Sequence, residues 1–176
     1  MTVREVRPSE LRQLGAIEDS GGAPFHAWFG DRVVPALVGP APSGAERDSV
    51  DGVLLVALEG GRARSVVGFA HVVWLVDDHG LPAAHLEQIS VRLPEHGRRG
   101  IGSLLLEAAC EEARWAGHRA ITLTTYRDVP WNGPFYRARG FVEDPDPAAY
   151  LRAIREREQA LGLDEPEPRQ VLRRTL

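Results

Sequence analysis

The sequence contains no lysine: all 21 of its basic residues are arginine, which reads as codon bias rather than function. No G-x-x-x-x-G-K-[ST] motif occurs, and this argues against a phosphate-loop nucleotide triphosphatase. Cysteine is nearly absent. The single Cys110 excludes an intrachain disulfide and argues against a cysteine-based metal site. There is no apolar run of about 18 residues, and the opening MTVREVRPSE has no apolar signal core. A membrane partner is therefore not expected, and a cytoplasmic location is the default. A basic excess is missing too. The net charge is -4 and the isoelectric point about 5.9, so a general electrostatic grip on nucleic acid is not expected.

What is present suits one globular domain over 1–176 with one substantial core. The hydrophobic fraction is 43% and the charged fraction 26%. Val3 to Arg7 alternates apolar and charged side chains and reads as a short strand. A helix is expected after Pro8, with Ser9 as its N-cap and Leu11, Leu14 and Ile17 on one face. A second helical stretch covers Phe25 to Leu37. Gly39 to Gly52 is rich in Gly, Pro, Ser and Asp and reads as a mobile surface loop. Val53 to Leu58 and Val66 to Val76 form a hairpin around Gly60-Gly61, and Ala84 to Val91 is the next strand. The helix from about Gly100 to Trp115 has apolar positions at 101, 104, 105, 108 and 109 and stops near Gly117. Ile121 to Thr125 is a strand, Trp131 to Gly140 holds a short helix, and a strand starts at Phe141. A polar-rich helix lies within Pro145 to Leu163, and Gln170 to Leu176 is a last strand. Strand, crossover helix and strand between 84 and 125 imply a parallel pair within a mixed sheet.

The stretch HLEQISVRLPEHGRRGIGSLLL, His85 to Leu106, carries a strand into a glycine turn and a helix start. The first turn of a helix has backbone N–H groups without partners and roughly half a positive charge from its dipole. Gly97, Gly100 and Gly102 let the backbone approach a diphosphate and tolerate positive φ. Arg98 and Arg99 can add charge from the flank. On its own this G-x-G is a weak signal and is equally a structural turn. The dinucleotide pattern G-x-G-x-x-G fails, because its third position is Leu105.

A second motif changes the weight of the first. Downstream of the 121–125 strand lies Pro134-Phe135-Tyr136-Arg137-Ala138-Arg139-Gly140-Phe141. Together with Gly97-Arg98-Arg99-Gly100-Ile101-Gly102 it resembles the GNAT acyl-CoA N-acyltransferase superfamily. That family shows [QR]-x-x-G-x-[GA] at the turn and F/L-Y-x-x-x-G-F further on. The resemblance covers about 1–143. Gly97 stands where Gln or Arg is usual, with Arg98 one place later. Arg92-Leu93-Pro94 also makes the turn one residue longer. Since most of the phosphate grip comes from backbone N–H groups, binding is expected to survive.

The resemblance implies a single GNAT-like α/β domain: a mixed, mostly antiparallel sheet of six to seven strands with one splayed parallel pair, flanked by helices. It implies acetyl-CoA as cosubstrate, no metal, and acetyl transfer to a primary amine by direct attack. Ile89, Ser90 and Val91 would pair with the pantetheine arm. The N–H groups of Arg98, Arg99, Gly100, Ile101, Gly102 and Ser103 would hold the pyrophosphate, and the N–H of Val91 or Ile89 would polarise the acetyl carbonyl. An alkylamine of pKa about 10 is protonated at neutral pH, so a base is needed. Glu87 and His85, two apart on one strand, share a face. Family members place a base at one or both; Glu87 is the first candidate and His85 the second, acting directly or through water. Tyr136 fits the acid for the departing thiolate. Asn132 is expected to bond the pantetheine or to cap the short helix.

Phe25, His26, Trp28 and Phe29 fall where the family's two early helices wall the acceptor pocket, and Trp74 and Trp131 are candidates to join them. Taken singly, each aromatic residue is equally explained by packing. Cys110 reads as a small buried residue. Two other functions fit the turn: a catalytically silent acyl-CoA-binding sensor, and a nucleotide-binding protein. An aminoglycoside, a polyamine, an amino acid or a protein N-terminus all fit as acceptor. The late strand at 170–176 suits a subunit edge, so a homodimer is among the expectations.

Overall fold

The computed structural model describes residues 1–60 and 65–176. The Gly61 half of the expected hairpin turn lies outside the described residues. The strands are β1 (Thr2–Glu5), β2 (Gly52–Glu59), β3 (Ser65–Val76), β4 (Pro82–Val91), β5 (Ala120–Tyr126), β6 (Val142–Glu143) and β7 (Arg169–Thr175). They form one seven-stranded sheet in the order β1-β2-β3-β4-β5-β7-β6. Every neighbouring pair is antiparallel except β4 and β5. The helices are α1 (Leu14–Asp19), α2 (Gly22–Phe29), α3 (Pro35–Val38), α4 (Gly44–Asp48), α5 (Ile101–Trp115), α6 (Gly133–Arg137) and α7 (Ala149–Ala160).

The central strands are apolar on both faces because both faces are covered. On one side α5 packs over β2, β3 and β4, and a core of Leu55, Val72, Leu86, Ile101, Leu105 and Leu123 forms beneath it. On the other, Leu14 and Ile17 of α1 meet Leu54, Val56, Leu58 and Phe69. The buried stripe of α5 is Ile101, Leu105, Leu106, Ala109, Cys110 and Ala113. Leu104, expected on that stripe, is instead 49% exposed. The helix is rotated so that its smaller residues, Ala109, Cys110 and Ala113, lie against the sheet.

The N-terminal third departs most from its expected pattern. Pro8–Gln13 is a 3-10 turn, and Ser9 is not its cap. The Glu10 carboxylate takes that role: it accepts the Arg7 N–H at 2.8 Å and the Arg4 guanidinium at 2.6 and 2.9 Å. The expected helix from Phe25 to Leu37 is broken at Gly30, whose φ of 56° is left-handed. The segment expected to be a mobile loop contains α4, closed by a capping box between Ser43 and Glu46. Among the described residues no helix is long and apolar enough to cross a membrane.

Candidate active site

β4 and β5 pair only at Ala84–Ile121 and His85–Thr122, and beyond that point the strands part. The Arg92 N–H bonds the Val67 carbonyl of β3 at 2.8 Å. By the alternation of an antiparallel ladder, Ile89 and Val91 therefore turn their backbone groups toward the opened β5 side. A slot edged by unpaired donors and acceptors results.

The slot runs toward the N-terminus of α5. Gly100 caps that helix with φ 78°, a left-handed conformation suited to glycine. The amides of Ile101, Gly102 and Ser103 are first-turn donors without intrahelical partners. The Phe135 ring lies against Gly102, where an added Cβ would come within 3.6 Å of it. Arg98 is also left-handed, with φ 59°, while Gly97 is packed so that a Cβ would meet the Leu93 side chain at 2.8 Å. A larger residue at 97 would have to displace the Leu93 side chain. The Arg99 side chain pairs with Glu59 at 2.5 Å on the surface.

One cation at this cradle lay outside the sequence expectations. Arg139 donates to Ser103 Oγ at 3.0 and 2.7 Å and to the Phe135 carbonyl at 2.7 Å. Its guanidinium lies 3.8 Å over the Phe135 ring. None of these partners is acidic. Together, the unpaired strand edge, the free amides and Arg139 fit the pantetheine arm and the diphosphate of coenzyme A.

Glu87 sits at a bulge in β4: His71 opposes Gln88, and Val72 opposes Leu86. The bulge shifts the alternation, so Ala84, Leu86, Ile89 and Val91 all pack on the α5 side. The Glu87 carboxylate lies on the opposite face, 2.6 Å from His71 Nδ1 and 3.9 Å from Arg47. His71 above all, then Arg47 and His85, hold this carboxyl below the usual range against the opposing effect of burial.

His85 shares that face but is buried. Its Nδ1 is 3.0 Å from Thr122 Oγ1, which itself donates to the Ala84 carbonyl at 3.1 Å. The imidazole therefore carries its proton on Nδ1, and Nε2 is left as the basic nitrogen. Burial pushes its pKa down to about 4.

Tyr136 lies on the α5 side of the sheet, 8% exposed, between the rings of Phe135 and Phe141. Burial raises its phenol above the ordinary value, so it stays protonated. The Asn132 side chain accepts from Thr125 Oγ1 at 3.1 Å, and only its backbone carbonyl joins α6.

The aromatic candidates divide. Phe25, Trp28 and Trp131 cluster at the far end of β5, with ring centroids 5.6–5.7 Å apart, and Trp28 and Trp131 are open to solvent. Phe29 is core packing against Tyr126 and Val129, and His26 is exposed. Trp74 does not join them. It stacks on His118 at 4.6 Å at the opposite end of the sheet and lines a cleft of about 410 Å³ with Trp115 and Glu112. The α7 segment supplies a wall that was not foreseen. Tyr150 OH is 3.3 Å from Thr122 Oγ1, Glu158 accepts from Thr124 at 2.5 Å, and Glu167 accepts the Trp28 indole N–H at 3.0 Å.

The family model described as "Acetyltransferase (GNAT) family" matches residues 23–141. The chain belongs to that family. It is accordingly an acetyltransferase with acetyl-CoA as cosubstrate. Solved structures share the fold over nearly the whole chain. The PaiA N-acetyltransferase of Thermoplasma acidophilum, in complex with coenzyme A, is similar at TM-score 0.65 and 13% identity, covering 99% of this chain and 98% of that one. The ribosomal-protein-S18-alanine N-acetyltransferase of Escherichia coli is similar at 0.64 and 18%, covering 99% and 92%. The N-acetylglutamate synthase of Neisseria gonorrhoeae, complexed with coenzyme A and N-acetyl-glutamate, is similar at 0.66 and 13%, covering 99% of this chain but 35% of that longer one. In this GNAT fold the residues that sequence reasoning missed are His71, Arg47, Arg139 and the α7 wall. His71 and Arg47 lie in segments without a motif, and Arg139 fills a variable position of the Phe135–Phe141 motif, so no local pattern marks any of the three.

Proposed function

We propose that this acetyltransferase moves the acetyl group of acetyl-CoA to a primary amine by direct attack, with Glu87 as base and Tyr136 as acid. The observation that carries the reading is the parting of β4 from β5 after His85 and Thr122, with Glu87 on one face of the opening and Tyr136 on the other. The amides of Ile101, Gly102 and Ser103, with Arg139, hold the diphosphate. Ile89, Ser90 and Val91 line the pantetheine arm. The N–H of Val91 or Ile89 faces the thioester carbonyl and stabilises the charge that develops on its oxygen. Glu87 accepts the proton that the amine loses, directly or through water, as nitrogen bonds to the acetyl carbon and the carbon–sulfur bond breaks. Tyr136 returns a proton to the departing sulfur. His85, neutral through Nδ1–H and buried, is the second candidate for the base.

Phe25, Trp28 and Trp131, with Glu167, wall the acceptor's approach. The names of the neighbouring structures speak of a protein alanine and of N-acetyl-glutamate, so the fold accommodates both protein and small-molecule amines. The test is thiol release from acetyl-CoA across a panel of amines, amino acids and peptides. Turnover lost in Glu87→Gln and Tyr136→Phe is the expected result. Coenzyme A binding without turnover on any amine would establish a sensor instead.

A further inference from the structure

Glu87 is gripped from behind. Both of its close polar contacts fall on one oxygen: Oε2 lies 2.6 Å from His71 Nδ1, a close approach without an aligned hydrogen bond, and 3.9 Å from an Arg47 terminal nitrogen. Oε1 has neither contact, and the Glu87 side chain is 49% exposed while His71 is 1% exposed and Arg47 6%. The two gripping groups thus come from the interior, while the Glu87 side chain itself is half exposed.

The grip has its own foundation. The Arg47 guanidinium lies 5.3 Å over the Phe69 ring and bonds Glu18 at 2.5 Å. One arginine is therefore shared between two carboxylates, tightly with Glu18 and loosely with Glu87. Arg47 reaches this place from α4, a helix formed within a Gly- and Pro-rich segment. His71 comes from β3, beside the bulge that leaves Glu87 without a residue opposite. A glutamate has rotamer freedom to lose, and a bulge residue has no ladder partner to limit it. Fixing one oxygen supplies that order before the amine arrives.

We propose that His71 and Arg47 are positioning residues, which commit one oxygen of Glu87 and present the other to the acceptor amine. The inference rests on the reading of Glu87 as base. The charged and titratable groups facing Glu87 are His71 from β3, Arg47 from α4, Glu18 from α1 and His85 from β4. With His71 in place the carboxylate stays ionised below its usual range, the direction that its surroundings favour.

The experiment uses the full-length protein. The Glu87 carboxyl is titrated by carbon-13 NMR in the parent, in His71→Leu and in His71→Asn, whose amide keeps a donor near the position of Nδ1. In His71→Leu the midpoint is expected to rise by about one pH unit, as loss of a neighbouring favourable partner does, with His71→Asn restoring most of the shift. Equal midpoints in the parent and His71→Leu overturn the proposal. If His71→Leu fails to fold, the parent decides: an inflection in the His71 Nδ1 nitrogen signal at the Glu87 midpoint supports coupling, and its absence refutes it. The acid limb of kcat/KM, read on the best amine from the panel, separates the two failures. A limb that survives Glu87→Gln removes Glu87 as base. A limb that vanishes in Glu87→Gln but stays in place in His71→Leu removes only the positioning role.

Discussion

His85 and Thr122 are joined twice: they are the last pair in register between the parallel strands, and their side chains are hydrogen-bonded at 3.0 Å. Beyond them no pairing holds β4 to β5. The junction fixes where the slot begins, and it is buried. A buried imidazole there must take up its proton at a desolvation cost.

That cost makes stability depend on pH. The His85 pKa falls from 6.5 to about 4 on folding, so between those values the unfolded chain binds more protons than the native one. Stability is full above the unfolded value and is lost as pH falls from about 6.5 toward 4, by roughly 2–3 kcal/mol. Urea unfolding as a function of pH is expected to show this loss in the parent and a flatter curve over the same window in His85→Gln. Parallel curves would mean that His85 titrates normally.

Tyr136→Phe is expected to lower kcat by roughly 10²–10⁴-fold, the usual contribution of a general acid. The packing among Phe135 and Phe141 is kept, so coenzyme A affinity by calorimetry should not change. An unaltered kcat removes the phenol from the reaction.

Arg139→Ala is expected to raise the KM for acetyl-CoA roughly tenfold or more with kcat nearly unchanged. A hydrogen bond to a charged group contributes about 1.5–3 kcal/mol. Steady-state kinetics with varied acetyl-CoA checks this. An unchanged KM would mean that the guanidinium serves only Ser103 and the Phe135 ring.

Gly100→Ala meets open space but a φ of 78°. The expected cost is about 1–2 kcal/mol of backbone strain, with weaker coenzyme A binding as the α5 amides shift. Denaturant midpoints and calorimetry measure the two effects together. No loss of stability would show that the cap relaxes freely.

The candidate cofactor side, the strand end, turn and helix start, was legible in the sequence because it is local. Val91 to Ser103 is one strand end, one turn and one helix start, and each part leaves a short-range pattern. The acceptor side was not legible. Glu87 is met by His71 and Arg47 from two separate elements, Arg47 is shared with Glu18 of a third, and α4 lies in a stretch whose composition reads as loop. Trp74 shows the same limit. It is aromatic and on a neighbouring strand, yet it ends up beside His118, because composition does not say toward which end of a sheet a residue falls. Leu104 was apolar at helical spacing and still faces out, since the sheet selected the stripe that packed best.

By itself the sequence determined the class of fold, the order of nearly all strands and helices, and a glycine turn that opens α5 with free backbone donors. These follow from hydrophobic period and glycine position, which act over a few residues. Only the tertiary structure decided which residues surround the Glu87 carboxylate and at which end of the sheet each aromatic side chain falls. Those contacts join segments far apart in the chain, and burial, strand register and a single bulge fix them together.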